Sequence, residues 1–366
     1  AILGLYSIFK PLFFRLDPET AHNVAHFVLR GVQAVPFVNN SVASLFSYSS
    51  SRFSQSLWGF EFNNPVGLAA GFDKNARVCD GMAGLGFGFL ELGSVTNCKS
   101  DGNPRPRLFR LVDDEALINR MGLNNEGPYQ FLRNYKSSRT TIPRFINIAK
   151  TNDPAILGDD AIDDMVNCYN ALGEIQTVVV FNLSCPNTED GRTFEDPEGI
   201  ITFLDKLILH REKKQFNQPF LLKLSNDVSL DILAMLIEAG LQKGASGFVI
   251  GNTSVSREGL NESQETLNTI GRGGLSGTPV YRRALERVRE AYKITQGQVP
   301  IIGVGGIGNS EHAVEMIRNG ASLIELYTAL VYYGPSVVHD ILKGLEKHLL
   351  KEGLMTISDL VGVDVV

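Results

Sequence analysis

The sequence predicts an α/β fold: a (β/α)8 barrel, the TIM-barrel architecture, carrying a small N-terminal helical domain. Three observations predict it. Eight short apolar runs recur from residue 65 onward, and most are apolar on both faces, as buried parallel strands are. Helical periodicity separates most of them, for example over 230–239 and 310–319. The stretch 65–333 matches the usual size of such a barrel, about 250 residues.

Residues 1–64 do not follow the barrel pattern. Ile2, Leu5, Phe9, Leu12, Phe13 and Leu16 recur at helical spacing. Asp17-Pro18 then reads as an N-cap with proline at the first helical position, opening a second helix over about 18–34. His22 and His26 would share one face of it. We read 1–40 as a helical hairpin, 41–64 as a connecting segment and 65–366 as the barrel. The predicted strands follow at 65–70 (PVGLAA), 87–95 (FGFLELGSV), 145–149 (FINIA), 176–184 (QTVVVFNLS), 219–224 (PFLLKL), 246–251 (SGFVIG), 299–304 (VPIIGV) and 321–327 (ASLIELY). Two intervals, 87–145 and 246–299, are long, and long βα loops usually belong to the working end of a barrel. The first holds Asn103-Pro-Arg-Pro-Arg107. The second holds Gly271-Arg-Gly-Gly-Leu-Ser-Gly277, read as a flexible lid hinge.

Composition narrows the function. A net charge of −6, from 34 basic and 40 acidic residues, argues against a nucleic-acid partner. Residues 1–60 run against this trend, with Lys10, Arg15, Arg30 and Arg52 against Asp17 and Glu19. A slightly basic, apolar N-terminus suits an anionic lipid surface. No run of 18 apolar residues occurs. None of the four cysteines has C-x-x-C spacing, so no metal site is expected. Cys79, Cys98 and Cys168 read as buried apolar cysteines, the usual fate of free thiols. The chain opens Ala1-Ile2-Leu3, which reads as a trimmed start with any targeting segment upstream.

A barrel works at the C-terminal ends of its strands. Gathered there, Asn147, Asn182, Asn187 and Asn252, with Asn119 from the long first loop, offer both donors and acceptors. That inventory suits a planar, amide-like ring such as a pyrimidine or flavin. Paired carboxylates for glycoside hydrolysis are missing. Gly303-Val-Gly305-Gly306-Ile-Gly308 matches G-x-G-x-x-G, with Glu325 about where a dinucleotide fold wants its acid. Too little chain follows for such a domain, so a single phosphate is the better reading. Lys74 and Lys223 supply positive charge, one for a substrate carboxylate and one for a reduced flavin. Cys185 precedes Pro186 at a strand end, and its reference pKa near 8.5 puts a thiolate base within reach of neutral pH.

Taken together, Asp17-Pro-Glu-Thr-Ala-His22, Asn64-Pro-Val-Gly-Leu-Ala-Ala-Gly-Phe-Asp-Lys74, Gly102-Asn-Pro-Arg-Pro-Arg107, Ile118-Asn-Arg-Met-Gly122, Gly274-Leu-Ser-Gly277 and Ile301-Ile-Gly-Val-Gly-Gly306 resemble dihydroorotate dehydrogenase, in its membrane-associated, quinone-using class. The resemblance spans nearly the whole chain. It implies an FMN enzyme that oxidises dihydroorotate to orotate in pyrimidine synthesis, a base removing the C5 proton while C6 gives hydride to the flavin. Carried over by motif, the FMN positions are Ala69, Ala70, Gly71, Ser94, Asn147, Asn182, Lys223, Thr253, Ser276, Gly277, Gly305, Gly306, Tyr327 and Thr328. Substrate positions are Lys74, Asn119, Asn182, Asn187 and Asn252. The helical N-terminus forms a ubiquinone tunnel and meets the membrane surface, with His22, Arg110 and Tyr327 near the inner end. The resemblance suggests the mitochondrial inner membrane, with a bacterial cytoplasmic membrane as the alternative.

One departure stands out. The quinone-using class has serine at the base position, whereas this chain reads Ser184-Cys185-Pro186-Asn187, as the soluble class does. That keeps a soluble-type enzyme using fumarate or NAD as the alternative, although the soluble class lacks the helical extension.

Overall fold

The computed structural model describes residues 5–184 and 194–365. Three helices come first: α1 (Leu5–Phe13), α2 (Pro18–Ala34) and α3 (Pro36–Phe46). Asp17 caps α2 as its sequence predicts, its carboxylate accepting from Thr20 N at 3.0 Å. The third helix was not anticipated. Pro36 sits in its first turn, where a proline needs no amide hydrogen, and α3 runs past the expected boundary at residue 40.

A hairpin of β1 (Gln55–Leu57) and β2 (Phe60–Phe62) leads into β3 (Val66–Leu68), α4 (Cys79–Gly84) and β4 (Phe89–Val95). The first long loop holds β5 (Leu108–Leu111) and β6 (Ala116–Asn119). Then follow α5 (Pro128–Ser137), β7 (Arg144–Ile148), α6 (Asp159–Leu172), β8 (Val179–Asn182), α7 (Pro197–Lys214), β9 (Phe220–Leu224), α8 (Leu230–Gln242) and β10 (Gly247–Ile250). The second long loop holds α9 (Gln264–Ile270) and β11 (Gly274–Gly277). The chain finishes with α10 (Tyr281–Thr295), β12 (Ile301–Val304), α11 (Ser310–Arg318), β13 (Leu323–Leu326), α12 (Thr328–Tyr333) and α13 (Val337–Glu352).

Strands β3, β4, β7, β8, β9, β10, β12 and β13 close in that order into a parallel barrel, β13 pairing back to β3. Seven of the eight predicted runs contain one of these strands, and the run 145–149 overlaps β7, which starts one residue earlier at Arg144. The glycine-rich stretch read as a lid hinge is instead partly strand. Gly274–Gly277 pairs antiparallel with β6, and β5 completes a three-stranded cap sheet. Backbone pairing outweighs the intrinsic freedom of those glycines.

Inside the barrel the bottom is apolar. Phe89, Phe145, Val178, Val180, Leu221, Val249, Ile302 and Leu323 cluster with Phe62 from the hairpin. Phe62 stands edge-on to Phe89 and Phe145, with centroids 5.7 and 6.0 Å away, and seals that end. Trp58 closes the seam, donating from its indole to Ser246 O at 2.8 Å. The connecting segment is clamped to the C-terminal region. Tyr48 hydrogen-bonds Glu346 of α13, and Arg52 Nη1 donates to Leu354 O at 2.7 Å.

Cys79 and Cys168 are buried as expected, but Cys98 is exposed. It lies in the loop just beyond β4, where the chain turns out of the barrel at the rim.

Candidate active site at the barrel mouth

Side chains alternate along a strand, so the residue two positions beyond an inward apolar one also points inward. Here that step changes the chemistry. Phe89 is followed by Glu91, Phe145 by Asn147, Val180 by Asn182, Leu221 by Lys223 and Leu323 by Glu325. All five polar residues are less than a tenth exposed. The barrel thus has an apolar floor and a polar upper layer at its C-terminal end.

The layer is connected. Lys223 Nζ lies 3.6 Å from Glu91 Oε1. Asn147 Nδ2 donates to the same oxygen at 2.6 Å, and Ser94 Oγ donates to Asn147 Oδ1 at 2.7 Å. Asn252 Nδ2 donates to Asn182 Oδ1 at 3.2 Å and also reaches Ser184. These bonds fix amide orientations before any ligand arrives.

A cavity opens above this layer. Ala69, Ala70, Gly71, Ser94, Asn182, Lys223, Thr253, Ser276, Gly277, Gly305, Gly306, Tyr327 and Thr328 line it, so the structure gathers these sequence-predicted cofactor positions. Asn147 stands behind the wall and acts through Ser94. Lys74, Asn119, Asn182 and Asn252 line the same cavity. Cys185 and Asn187 lie outside the described residues. His22 and Tyr327 reach the cavity as well. Arg110 is not on its wall. Its guanidinium donates to Leu16 O at 2.8 Å and lies 4.7 Å over the Phe14 ring, so it braces the turn between α1 and α2.

The cavity fits a flat ring with a phosphate tail. Gly305 and Gly306 have φ of +135° and +68°, and a Cβ on Gly306 would stand 2.6 Å from Gly277 O. Only glycine lets the backbone curl there, presenting N–H groups beside the loop that leads into α11. Ser276 and Thr328 meet hydroxyl to hydroxyl at 2.8 Å nearby. The dinucleotide alternative for this motif fails on topology, since the loop follows a barrel strand rather than opening a separate nucleotide domain.

Lys74 is partly buried at the cavity wall and donates to Gly71 O at 2.7 Å. Burial, helped by the charge of Arg107, lowers its pKa to about 8, while Glu19 and Asp73 oppose the shift. Arg107 is itself buried and paired with Glu19 of α2 at 2.8 Å, which ties the first long loop to the helical domain. His22 and His26 have ring centroids 4.5 Å apart and both contact Phe72, which in turn meets Tyr327 edge-on at 5.7 Å. Burial, then the charge of Lys74, then that of His26 hold His22 well below its ordinary value, so its imidazole is neutral. His26 Nε2 lies 2.7 Å from Phe72 O. An aromatic path therefore runs from α2 to the cavity wall.

Glu91, Phe72 and the Glu19–Arg107 pair were missed at the sequence level. Glu91 had a signal: a lone carboxylate inside an otherwise apolar strand run needs a partner. Phe72 and the ion pair gave none, because their partners are remote in sequence.

The comparisons with known proteins agree with this geometry. A family model described as dihydroorotate dehydrogenase matches residues 52–349. Relatives named dihydroorotate dehydrogenase (quinone) include one from Roseiflexus sp., 38% identical over 361 residues and covering 98% of each chain. Another, from Natronomonas pharaonis, is 39% identical and covers 99% of this chain and 100% of its own. Ligand-free DHODH from Eimeria tenella superposes with a TM-score of 0.83 at 30% identity, over 95% of this chain and 99% of that one. These relatives, with one from Deinococcus radiodurans, are bacterial and archaeal and give no support to a mitochondrial location. On motif, fold and sequence alike, the chain belongs to the dihydroorotate dehydrogenase family.

Proposed function

We propose that this chain oxidises dihydroorotate to orotate at the barrel mouth, with FMN as its flavin and quinone as the electron acceptor. The observation that carries this reading is one cavity whose wall joins Lys74, Asn119 and Asn252 with the glycines Gly305 and Gly306 and with His22 and Tyr327. When bound between the glycine-rich loop and Lys223, a flavin would supply a hydride acceptor for the substrate and an electron donor for quinone. The remaining work falls to the chain. Lys74 faces the substrate carboxylate. Asn119, Asn182 and Asn252 match the donors and acceptors of the dihydropyrimidine ring. Gly305 and Gly306 would offer backbone N–H groups to the phosphate, and Lys223, on the same cavity wall, would supply positive charge to the ring. Cys185 takes the C5 proton, and Asn187 joins the substrate contacts.

Quinone is favoured over fumarate or NAD by the helical domain. Among the described residues no helix is long and apolar enough to cross a membrane. Ile8, Phe27 and Phe37 are nevertheless 68%, 79% and 79% exposed on α1, α2 and α3. Such a face suits peripheral seating on a lipid surface, from which an apolar quinone enters. A bacterial cytoplasmic membrane fits the sources of the curated relatives.

The test is spectroscopic. Purified protein should be yellow, its flavin band should bleach anaerobically with dihydroorotate, and a ubiquinone analogue should restore it. Restoration by fumarate or NAD instead of quinone would favour the soluble type. Colourless protein that cannot be loaded with FMN would overturn the reading altogether.

A further inference from the structure

The polar layer contains one more carboxylate than its positive charge can match. Glu91 and Glu325 are fully buried, on β4 and β13, and Lys223 on β9 is the cation beside them. Glu91 Oε1 is satisfied by Asn147 and approached by Lys223. Glu91 Oε2 and both oxygens of Glu325 are buried without a hydrogen-bond donor. Glu325 lies against Glu91. The strands flanking it, β3 and β12, set Gly67 and Val304 at its register and offer it no charge. Three acceptor oxygens without a donor, on side chains this deeply buried, do not suit two ionised carboxylates, because an unpaired buried charge costs several kcal/mol. A proton between the two carboxyl groups removes the conflict: one group becomes a donor and the other keeps the lysine.

We propose that Glu325 is a neutral carboxylic acid that donates its proton to Glu91, and that this shared proton holds Glu91 and Lys223 as a compensated pair under the ring-binding end of the cavity. Glu325 is a positioning residue, acting on Lys223 through Glu91. The direction of its pKa agrees, since burial and the neighbouring Glu91 both raise it well above the ordinary carboxylate value, opposed only by Lys223. The consequence concerns electron transfer and rests on the flavin reading above. A lone lysine under the ring would stabilise the extra charge of the reduced cofactor. A lysine already matched by Glu91 does so less, which favours passing the electrons on. With Glu325 ionised as well, the floor would be net negative and would oppose reduction.

The test is Glu325→Gln, which replaces a neutral hydrogen-bond donor by another of nearly the same shape. Infrared spectra of the parent and the variant are compared in H2O and D2O, with and without FMN. The parent should show a deuterium-sensitive band of a protonated carboxyl that the variant lacks. The measurement is made at about pH 9, because the other raised carboxyl among the described residues, Glu195 at about 7, is ionised there. No difference band overturns the proposal, whether or not flavin binds. If the variant does not fold, 13C-glutamate labelling of the parent reports the same band by its isotope shift. The second readout is the midpoint potential of bound FMN. At neutral pH the variant should match the parent. A change of roughly tenfold or more in the preference for reduced over oxidised FMN would mean that a full charge had been removed, and that too would overturn the proposal. A protein that refuses FMN while showing the infrared band would sink the flavin reading alone.

Discussion

Lys74 is charged below about pH 8 and neutral above it, because burial has brought its pKa down from the ordinary lysine range. Its attraction for a substrate carboxylate is therefore present at neutral pH and lost as pH rises. We expect KM for dihydroorotate to climb above pH 8 by about tenfold per pH unit, and Lys74→Met to flatten that climb while raising KM at neutral pH roughly thirty- to hundredfold. A KM profile that stays flat in the parent would remove Lys74 from the substrate site. The role proposed for Cys185 bears on the other parameter. A thiol with a reference pKa near 8.5 forms its anion far more readily than a serine hydroxyl. Cys185→Ser should therefore shift the acid limb of kcat to higher pH, whereas superimposed pH–rate profiles would mean that Cys185 is not the base.

At the scale of elements, the helices and the hairpin do separable jobs. Replacing both Phe27 and Phe37 by serine alters side chains that are already in water, so the melting temperature should hold. Flotation with anionic liposomes and turnover with long-tailed quinones should fall, while reduction of a short soluble dye continues. Retained flotation would place the lipid contact elsewhere. Phe62 presents the opposite case. It is fully buried among Phe89 and Phe145, so Phe62→Ala should cost about 3–5 kcal/mol of stability. Denaturant unfolding checks this, and KM should move little because the site is at the other end. The two long loops were legible in the sequence as working-end features, but their pairing was not. That β6 and β11 would join into one sheet depends on two segments about 155 residues apart, and no local pattern reports such a partner. Pro36 opens α3 two residues after α2 ends, and a proline marks a helix break and a helix start alike.

Across the whole molecule, the parallel strands announced themselves because burial on both faces leaves unbroken apolar runs. The same rule hid the chemistry of the layer above. Glu91 and Glu325 sit in such runs, and only the closed barrel brings them together with Lys223. Motif spacing located the mouth and its glycines, while the route from α2 through Phe72 to Tyr327 needed coordinates. One further property follows from the clamp on the connecting segment. Tyr48 and Arg52 fasten the chain to α13 and the segment just after it before the barrel begins. If the helices rest in a fluid bilayer, lateral drag on them has somewhere to go. Part of the load passes into α13 on the outside of the barrel, and the rest reaches the cavity wall through His26 on Phe72 and Glu19 on Arg107. Anchorage and alignment are thereby mechanically coupled, so seating on a moving surface is felt at the segment that carries Gly71 and Lys74.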